Sequence, residues 1–397
     1  MDNTHPALAR VHAIAQESAL ALSLTELGDV IFTVVSFGDP DTNSWVSRTS
    51  ESVSQSILEQ YNNPTSALLI QILTHNVKPW FQSNPHPHLN MMSGRKLARP
   101  AGGPMASQDL YESQTWKDHP GVSGVVLWCV RHLKQEDYDN IWHLVIPPVM
   151  TLLDDYEARY KLCGVTIVSA MLRHVPKSLL SRTGVDSLIR SSLKTCLAHL
   201  DNPESPQLLR SAIAASLSLT LLTTVPGEAV QFDQLCALLG EGIIGGIWMY
   251  ASDKSDVILA SLDALPPLLH ALGVGSARFL KALIPQLVHP LKADRLAAPQ
   301  IKLQLSSLRV LDVLIVECAP RIGGWKGVVI DGLGRCWVSL KDSGSDIPGS
   351  ALGKQLRHTC ELLRKACPSV MEDEYRMLLA SDPELFGDLV NRTPTTP

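Results

Sequence analysis

Aromatic side chains are few in this chain: 8 Trp, 7 Tyr and 6 Phe make up 5% of 397 residues. Strands draw on aromatic and β-branched residues, so an all-β fold fits poorly. A surplus of basic charge is also missing. Lys and Arg number 34 against 39 Asp and Glu, a formal net charge of −5, which excludes a general nucleic-acid coat. The eight cysteines (Cys129, Cys163, Cys196, Cys236, Cys318, Cys336, Cys360 and Cys367) form no CxxC pair. Most sit in apolar helical runs, where a free thiol behaves as a small buried hydrophobe. That pattern points to a reducing compartment, cytoplasm or nucleus. Long apolar runs are wanting as well. The stretch 19–35 is interrupted by Glu26 and Asp29, and 211–227 carries several Ser and Thr and ends in Pro226-Gly227, so no membrane span is expected. The first residues, Met1-Asp2-Asn3-Thr4-His5-Pro6, lack the positive region of a secretory leader.

What is present is helical periodicity. Patterns run over 7–35, 45–61 and 65–81, separated by the turn signals Gly38-Asp39-Pro40 and Asn62-Asn63-Pro64, and define an N-terminal helical segment, 1–81. From 82 to 115 the composition shifts to Pro85, Pro87, Pro100, Gly102, Gly103 and Pro104, and a flexible linker is expected. Helical order then resumes over 116–392, with a frayed tail from Thr393 to Pro397.

Within 116–392 the chain repeats. Helix-breaking or acidic turns recur at Asp154-Asp155, Pro203-Glu204, Asp253 to Asp256, Leu296 to Pro299 and Gly344-Ser345, roughly every 45–50 residues, near the period of HEAT and armadillo units. Each interval holds two helix-length patterns, as in 185–200 with 207–225, and 279–292 with 300–318. In the last of these Ile301, Leu305, Leu308, Leu311 and Ile315 share one face, with Lys302, Ser306 and Arg309 opposite. Asp154 with Glu157, Ser205-Pro206 and Pro299 supply helix-start signals. Prolines 147, 148, 285 and 290 lie inside first helices, where HEAT units are commonly kinked. The reading is an all-α, HEAT/armadillo-like solenoid of antiparallel helix pairs. No βαβ alternation is present, which argues against Rossmann and TIM architectures.

Signatures of chemistry fail one by one. There is no GxxxxGK[ST], no GxSxG and no HExxH, and Gly332-Leu333-Gly334 and Gly273-Val274-Gly275 lack a third glycine. His86 and His88 stand in the Pro-rich stretch without a nearby Cys or acid, so they read as solvated histidines rather than metal ligands. Asp154-Asp155 invites comparison with the paired acids of all-α diphosphate enzymes, but Ala158 occupies the fifth position and no second acidic motif follows. The simpler reading makes Asp154 a helix cap, with Asp155–Arg159 and Glu157–Lys161 as i,i+4 pairs. Two basic clusters, Arg95-Lys96 with Arg99, and Lys354, Arg357, Arg364 and Lys365, read as solvated surface, a nuclear-import signal or a ridge for an acidic partner. No catalytic residue, cofactor, metal or small-molecule substrate is expected.

The densest patch runs from Trp116 to Leu172. It holds Trp116-Lys117-Asp118-His119-Pro120-Gly121, Leu127-Trp128-Cys129, Trp142, Ile146-Pro147-Pro148, and Leu152-Leu153-Asp154-Asp155-Tyr156 with Lys161 and Gly164. This series resembles the Tel-two-interacting protein two family in its fungal branch. Phe232 to Ile244 and Lys281 to Leu291 extend the likeness, which covers about 116–340. The resemblance implies a non-enzymatic scaffold of the TTT co-chaperone complex. Such a scaffold binds Tti-one and, through it, Tel-two, and acts with the ninety-kilodalton heat-shock chaperone and its Rvb-containing adaptor to mature phosphatidylinositol-kinase-related kinases. A HEAT adaptor of another system, such as nuclear transport or a phosphatase scaffold, and an all-α enzyme using Asp154 and Asp155 stay open on the residues alone.

Trp116, His119, Trp128, Trp142, Tyr156 and Tyr160 gather in the first repeat. Trp and Tyr are enriched at binding hot spots, and end repeats and turns are the free surfaces of a solenoid. The candidate protein-binding set is Trp116, His119, Trp142, Asp155, Tyr156 and Lys161. The competing reading packs Trp128 and Trp142 inside the first helix pair, which would move the partner surface toward Trp325 and Trp337.

Overall fold

Helix starts follow local capping chemistry. Ser23 Oγ accepts from the Glu26 amide at 3.3 Å while the Glu26 carboxylate takes the Ser23 amide at 2.8 Å, a capping box that opens α1 (Leu24–Val35). Ser47 and Thr65 cap α2 (Arg48–Leu58) and α3 (Ser66–Gln71) by accepting the Ser50 and Leu68 amides. α3 continues through a π-helical stretch, Ile72–Val77, into Lys78–Phe81. The computed structural model describes residues 22–38, 46–83, 85–103, 105, 110–112, 114–292, 301–342 and 350–390. It comprises two units, Met1–Thr224 and Val225–Pro397. The helix start at Ala7, the pattern start at Trp45, Pro299, the turns near Ala298 and Gly344 and the C-terminal tail lie outside the described residues.

In the first unit, α4 (Val122–His132), α5 (Tyr138–Leu153) and α6 (Ala158–Met171) are followed by α7 (Lys177–Thr183), α8 (Val185–Cys196) and α9 (Ser205–Thr223). α5 pairs with α6 and α8 with α9, and across repeats α6 meets α9 and α5 meets α8. α5 is buried on nearly every side, Pro147 and Pro148 included, as a helix apolar all round must be. The two prolines lack amide donors, and Thr151 Oγ1 adds a hydrogen bond to the Pro147 carbonyl at 3.0 Å. The α5–α6 crossing depends on Gly164, where a Cβ would stand 2.7 Å from the Leu153 nitrogen and 3.0 Å from the Leu152 carbonyl carbon.

The second unit holds α10 (Ala229–Ala237), the π-helical Leu238–Trp248, α11 (Ser255–Leu272), α12 (Leu280–Val288), α13 (Ile301–Glu317), α14 (Lys326–Asp342), α15 (Ala351–Ala366), α16 (Arg376–Ser381) and α17 (Pro383–Val390). Here α11, α13 and α15 stack in turn, with α12 against α14. Part-buried polar rungs record the repeat. Ser306 Oγ donates to Asp263 at 2.6 Å, and Gln355 and Thr359 donate to Asp312 at 2.5 and 2.6 Å, with sequence separations of 43, 43 and 47 residues. The packing period is therefore a little shorter than the spacing of the turns. These rungs also correct the expected faces of α13: Ser306 is buried and Ile301 is 48% exposed, because the helix is covered by both α11 and α15. The run Ser255–Lys292 has the length and apolarity to cross a bilayer. Yet it is interrupted at Gly273, whose φ is 52°, and buries Leu262, Leu265 and Leu269 within its unit, as a helix in a protein core does.

Residues 82–115, expected as a flexible linker between bodies 1–81 and 116–392, are held where described. Leu89–Asn90 (β1) pairs antiparallel with Arg95–Lys96 (β2), the one sheet among the described residues. The hairpin is pinned by Trp142 Nε1 to the Gly94 carbonyl at 2.9 Å and by Lys96 Nζ to Ser187 Oγ at 2.8 Å. α1 meets α4, and the end of α3 meets α5. Proline and glycine here mark turns of an ordered strap. The apolar periodicity that would have revealed it is replaced by hydrogen bonds to distant helices.

Two outcomes follow. Gly164→Ala should destabilise the fold by about 1–3 kcal/mol, because backbone cannot yield to the added methyl; Gly324→Ala, which meets nothing within 4 Å, is the neutral control in thermal melts. The second concerns pH. Burial pushes the Asp312 carboxyl up to about 6, against the pull of Thr359, His358 and Gln355. Its folded value exceeds its ordinary one, so the folded state binds this proton more readily, and its contribution falls as pH rises from about 4 through 6. Urea titrations at pH 5 and 7 should show Asp312→Asn removing a loss on the order of 1 kcal/mol.

Candidate partner-binding site

The turn between α5 and α6 gathers the polar and aromatic residues of the first repeat. α5 ends at Asp154 (φ −96°, ψ 6°), and α6 begins after Glu157. Lys161, on the first turn of α6, reaches back so that Nζ donates to the Leu153 carbonyl at 2.8 Å and Thr195 Oγ1 at 3.4 Å. A cation thus satisfies a carbonyl orphaned at the end of α5, and Lys161 is buried in doing so.

Asp155 is wholly buried. Its Oδ1 accepts the Glu157 amide at 2.8 Å, and its carboxylate lies 3.0 Å from Lys117 Nζ, which also reaches Glu157 at 2.7 Å. The same ammonium lies 5.3, 4.3 and 4.7 Å from the ring centroids of Trp116, Tyr156 and Tyr160, a cation–π enclosure. Burial alone would lower the Lys117 pKa, but the hydrogen bonds it donates to Glu157 and Asp155 prevail and hold it above its ordinary value. Glu157, against its own burial, is held below the usual carboxylate range by Lys117 and Arg159. Arg159 pairs with Glu157 at 2.8 Å and covers the Tyr160 ring at 4.5 Å.

The strap closes the other side. His86 Nδ1 accepts the His88 amide at 3.2 Å, so in the neutral ring Nε2 carries the proton and donates to Asp154 at 2.8 Å. Tyr111 donates to the Asp154 carbonyl at 2.9 Å and meets Tyr156 edge-on at 5.8 Å. Burial, then the charges of Asp154 and Asp155, raise the Tyr111 hydroxyl above its ordinary value.

These contacts revise the sequence reading. Asp154 follows α5 and binds His86; it does not cap α6, where Asp155 holds the Glu157 amide. The expected i,i+4 pairs Asp155–Arg159 and Glu157–Lys161 give way to Lys117–Asp155, Lys117–Glu157 and Arg159–Glu157, because both acids precede the helix and lie out of its phase. With Asp155 buried against Lys117 and Asp154 bonded to His86, the acidic pair is used inside the chain, not presented to a diphosphate. Of the candidate binding residues, Trp116, Trp142, Asp155 and Lys161 are buried. Trp116 stacks on Phe81 at 5.7 Å and meets Tyr160 at 4.7 Å. His119 is half-buried, 3.5 Å from the Trp80 ring centroid. Tyr156 alone of the six is strongly exposed, at 61%, flanked by exposed Arg159 and Tyr111. Sequence reasoning did not give Lys117, Tyr111 or His86 a role here, since their partners stand 38 to 68 residues away. Trp337 is buried, its Nε1 bonded to the Leu385 carbonyl at 2.8 Å, and Arg364 and Lys365 pair with Glu361.

The Tti2 family model matches residues 30–294, a span that includes the strap and the whole of this site. The chain is 23% identical over 215 residues to TELO2-interacting protein 2 of Rattus norvegicus, covering 53% of this chain and 40% of that relative. The chain therefore spans less than half the length of the curated relative it matches. No solved structure matches.

The ion-pair geometry orders two substitutions. Asp155→Ala leaves the Lys117 ammonium short of a buried partner and should cost about 3–5 kcal/mol. Asp154→Ala removes the partner of His86 and should cost about 1–3 kcal/mol. Urea unfolding of both variants checks the order; a cap at Asp154 would reverse it.

Proposed function

The chain belongs to the Tti2 family, and from that premise we propose that it is a non-enzymatic helical-repeat scaffold of the TTT complex. The observation that carries this is the family match over 30–294, which encloses the α5–α6 turn with its exposed aromatic face. The rat relative is named for interaction with TELO2; for this chain the corresponding partners are Tel-two and Tti-one. Through them it supports heat-shock chaperone machinery in maturing phosphatidylinositol-kinase-related kinases, in cytoplasm and nucleus. A stacked-helix fold suits this role because turns and helix ends are left free for protein surfaces.

The contact surface we assign is Tyr156 with Arg159 and Tyr111. Tyr and Arg dominate binding hot spots, and here Lys117 and Glu157 hold two of the three in place before any partner arrives. Such preorganisation lowers the ordering cost of association. Trp116, Asp155 and Lys161 support this face from beneath, while Trp142 holds the hairpin further along α5.

Affinity purification of the full chain with Tel-two and Tti-one tests the proposal. Tyr156→Ala and Arg159→Ala should each reduce recovery of Tti-one by about tenfold or more, with the melting temperature held to within about 2 °C. Lys161→Glu, which places an acid against the Leu153 carbonyl, should instead fail through lost stability. Full recovery with both exposed-residue variants would remove the surface assignment. Absence of Tel-two and Tti-one from wild-type preparations, with other stoichiometric partners present, would place the chain in another adaptor system.

A further inference from the structure

The opposite end of α5 carries a feature that neither the turn nor the strap uses. Val130-Arg131-His132-Leu133-Lys134, at the end of α4, recurs 42 residues later as Leu172-Arg173-His174-Val175-Pro176-Lys177, at the end of α6. The apolar frame is buried in both copies: Val130, Leu133, Leu172 and Val175. The basic members face out, with Arg131, Lys134, Arg173, His174 and Lys177 exposed. His132 is half-buried beside Trp128, its Nδ1 donating to the Trp128 carbonyl at 2.8 Å.

α4 and α6 pack together, and short connections join each to α5 between them, so both run against α5 and end at one edge. Neither Arg131 nor Arg173 forms an ion pair among the described residues. Asp139 pairs with Arg182, while Asp137, which takes Ser66 Oγ and the Lys134 amide, keeps its charge, as do Glu136 and Asp186 at the start of α8. Arg131, Lys134, Arg173 and Lys177, with Arg182, still outnumber these four acids, in a chain whose net charge is −5. Cations at helix C-termini favour the helix dipole, but the fold does not require them. α9, packed against α6 as the next helix of its rank, ends in Thr223-Thr224, where the other two carry Arg-His.

We propose that this edge docks an extended acidic segment of a partner protein. Packed helices lie 8–10 Å apart, which sets the two Arg-His pairs about that far from each other. A chain in polyproline II conformation turns once every three residues and rises about 3.1 Å per residue. Every third side chain therefore faces the same way, about 9 Å from the last. The segment that fits carries carboxylates three residues apart, one per Arg-His pair, with Lys134 and Lys177 beside them. α5 is 16 residues long, or roughly 24 Å, so this surface is separate from the Tyr156 face and does not depend on its assignment.

The test is fluorescence anisotropy on the full chain. The probe is a labelled peptide of about twelve residues with glutamate at every third position. Wild-type protein should bind it with an affinity that falls as salt rises from about 50 to 200 mM. Arg131→Glu with Arg173→Glu should weaken binding about tenfold or more. Lys302→Glu with Arg309→Glu, which reverses two exposed cations of α13, should change it less than about twofold. If charge reversal lowers the melting temperature, Arg131→Gln with Arg173→Gln is read in its place, with the same loss expected. Wild-type affinity in the edge variants, or an equal loss in the α13 control, overturns the proposal. So does equally tight binding of a peptide with contiguous glutamates or of a single-stranded oligonucleotide of the same charge.

Discussion

The ammonium group of Lys117 ties together parts of the chain that local structure alone would leave apart. It lies among three aromatic rings and two carboxylates, joining the short helical turn at Trp116 to the start of α6. Trp116 in turn stacks on Phe81, so this cation and this ring add to the packing of α1 on α4 and of the end of α3 on α5 in anchoring the N-terminal helices to the first repeat. A charge so enclosed is tolerated only when its partners are present. That is why Asp155, a plausible surface acid in sequence, is among the least exposed residues of the protein.

Helices and their pairing were legible in the sequence because apolar spacing and capping residues are local signals. The pairs read at 185–200 with 207–225, and at 279–292 with 300–318, correspond to α8 with α9 and α12 with α13. The strap was not legible. Its order comes from scattered hydrogen bonds to Trp142, Asp154 and Ser187 and from the isolated buried Leu89 and Leu110, none of which leaves a periodic trace. The site was half legible. Its aromatic density and the Asp154–Lys161 turn stand out, but burial does not, and a conspicuous Trp or Asp can as easily support a surface as form it. Ser306 shows the same limit, since a serine opposite an apolar stripe reads as solvent-facing until a second helix covers it.

The cross-repeat hydrogen bonds explain how helices in the second unit keep register. Apolar packing alone tolerates sliding, because one leucine fits a groove much as the next does. Asp263 with Ser306, and Asp312 with Gln355 and Thr359, do not tolerate it: a shift of one residue would leave the buried hydroxyls of Ser306 and Thr359 without these partners. Asp312 shows what this specificity costs, for its carboxyl is ionised at neutral pH only against its burial.

The strap also sets an order of events during synthesis. Gly94 bonds to a side chain 48 residues further on, His86 to one 68 residues on, and Lys96 to one 91 residues on. At translation speeds of about 5–20 residues per second, the hairpin leaves the ribosome several seconds before α8 exists to receive Lys96. During that interval the hairpin has Trp142 of α5 to rest on, but its Lys96 end has no partner. The first unit therefore cannot close from its N-terminus outward. It closes when α8 arrives, and a nascent chain halted before Ser187 carries its strap undocked at that end.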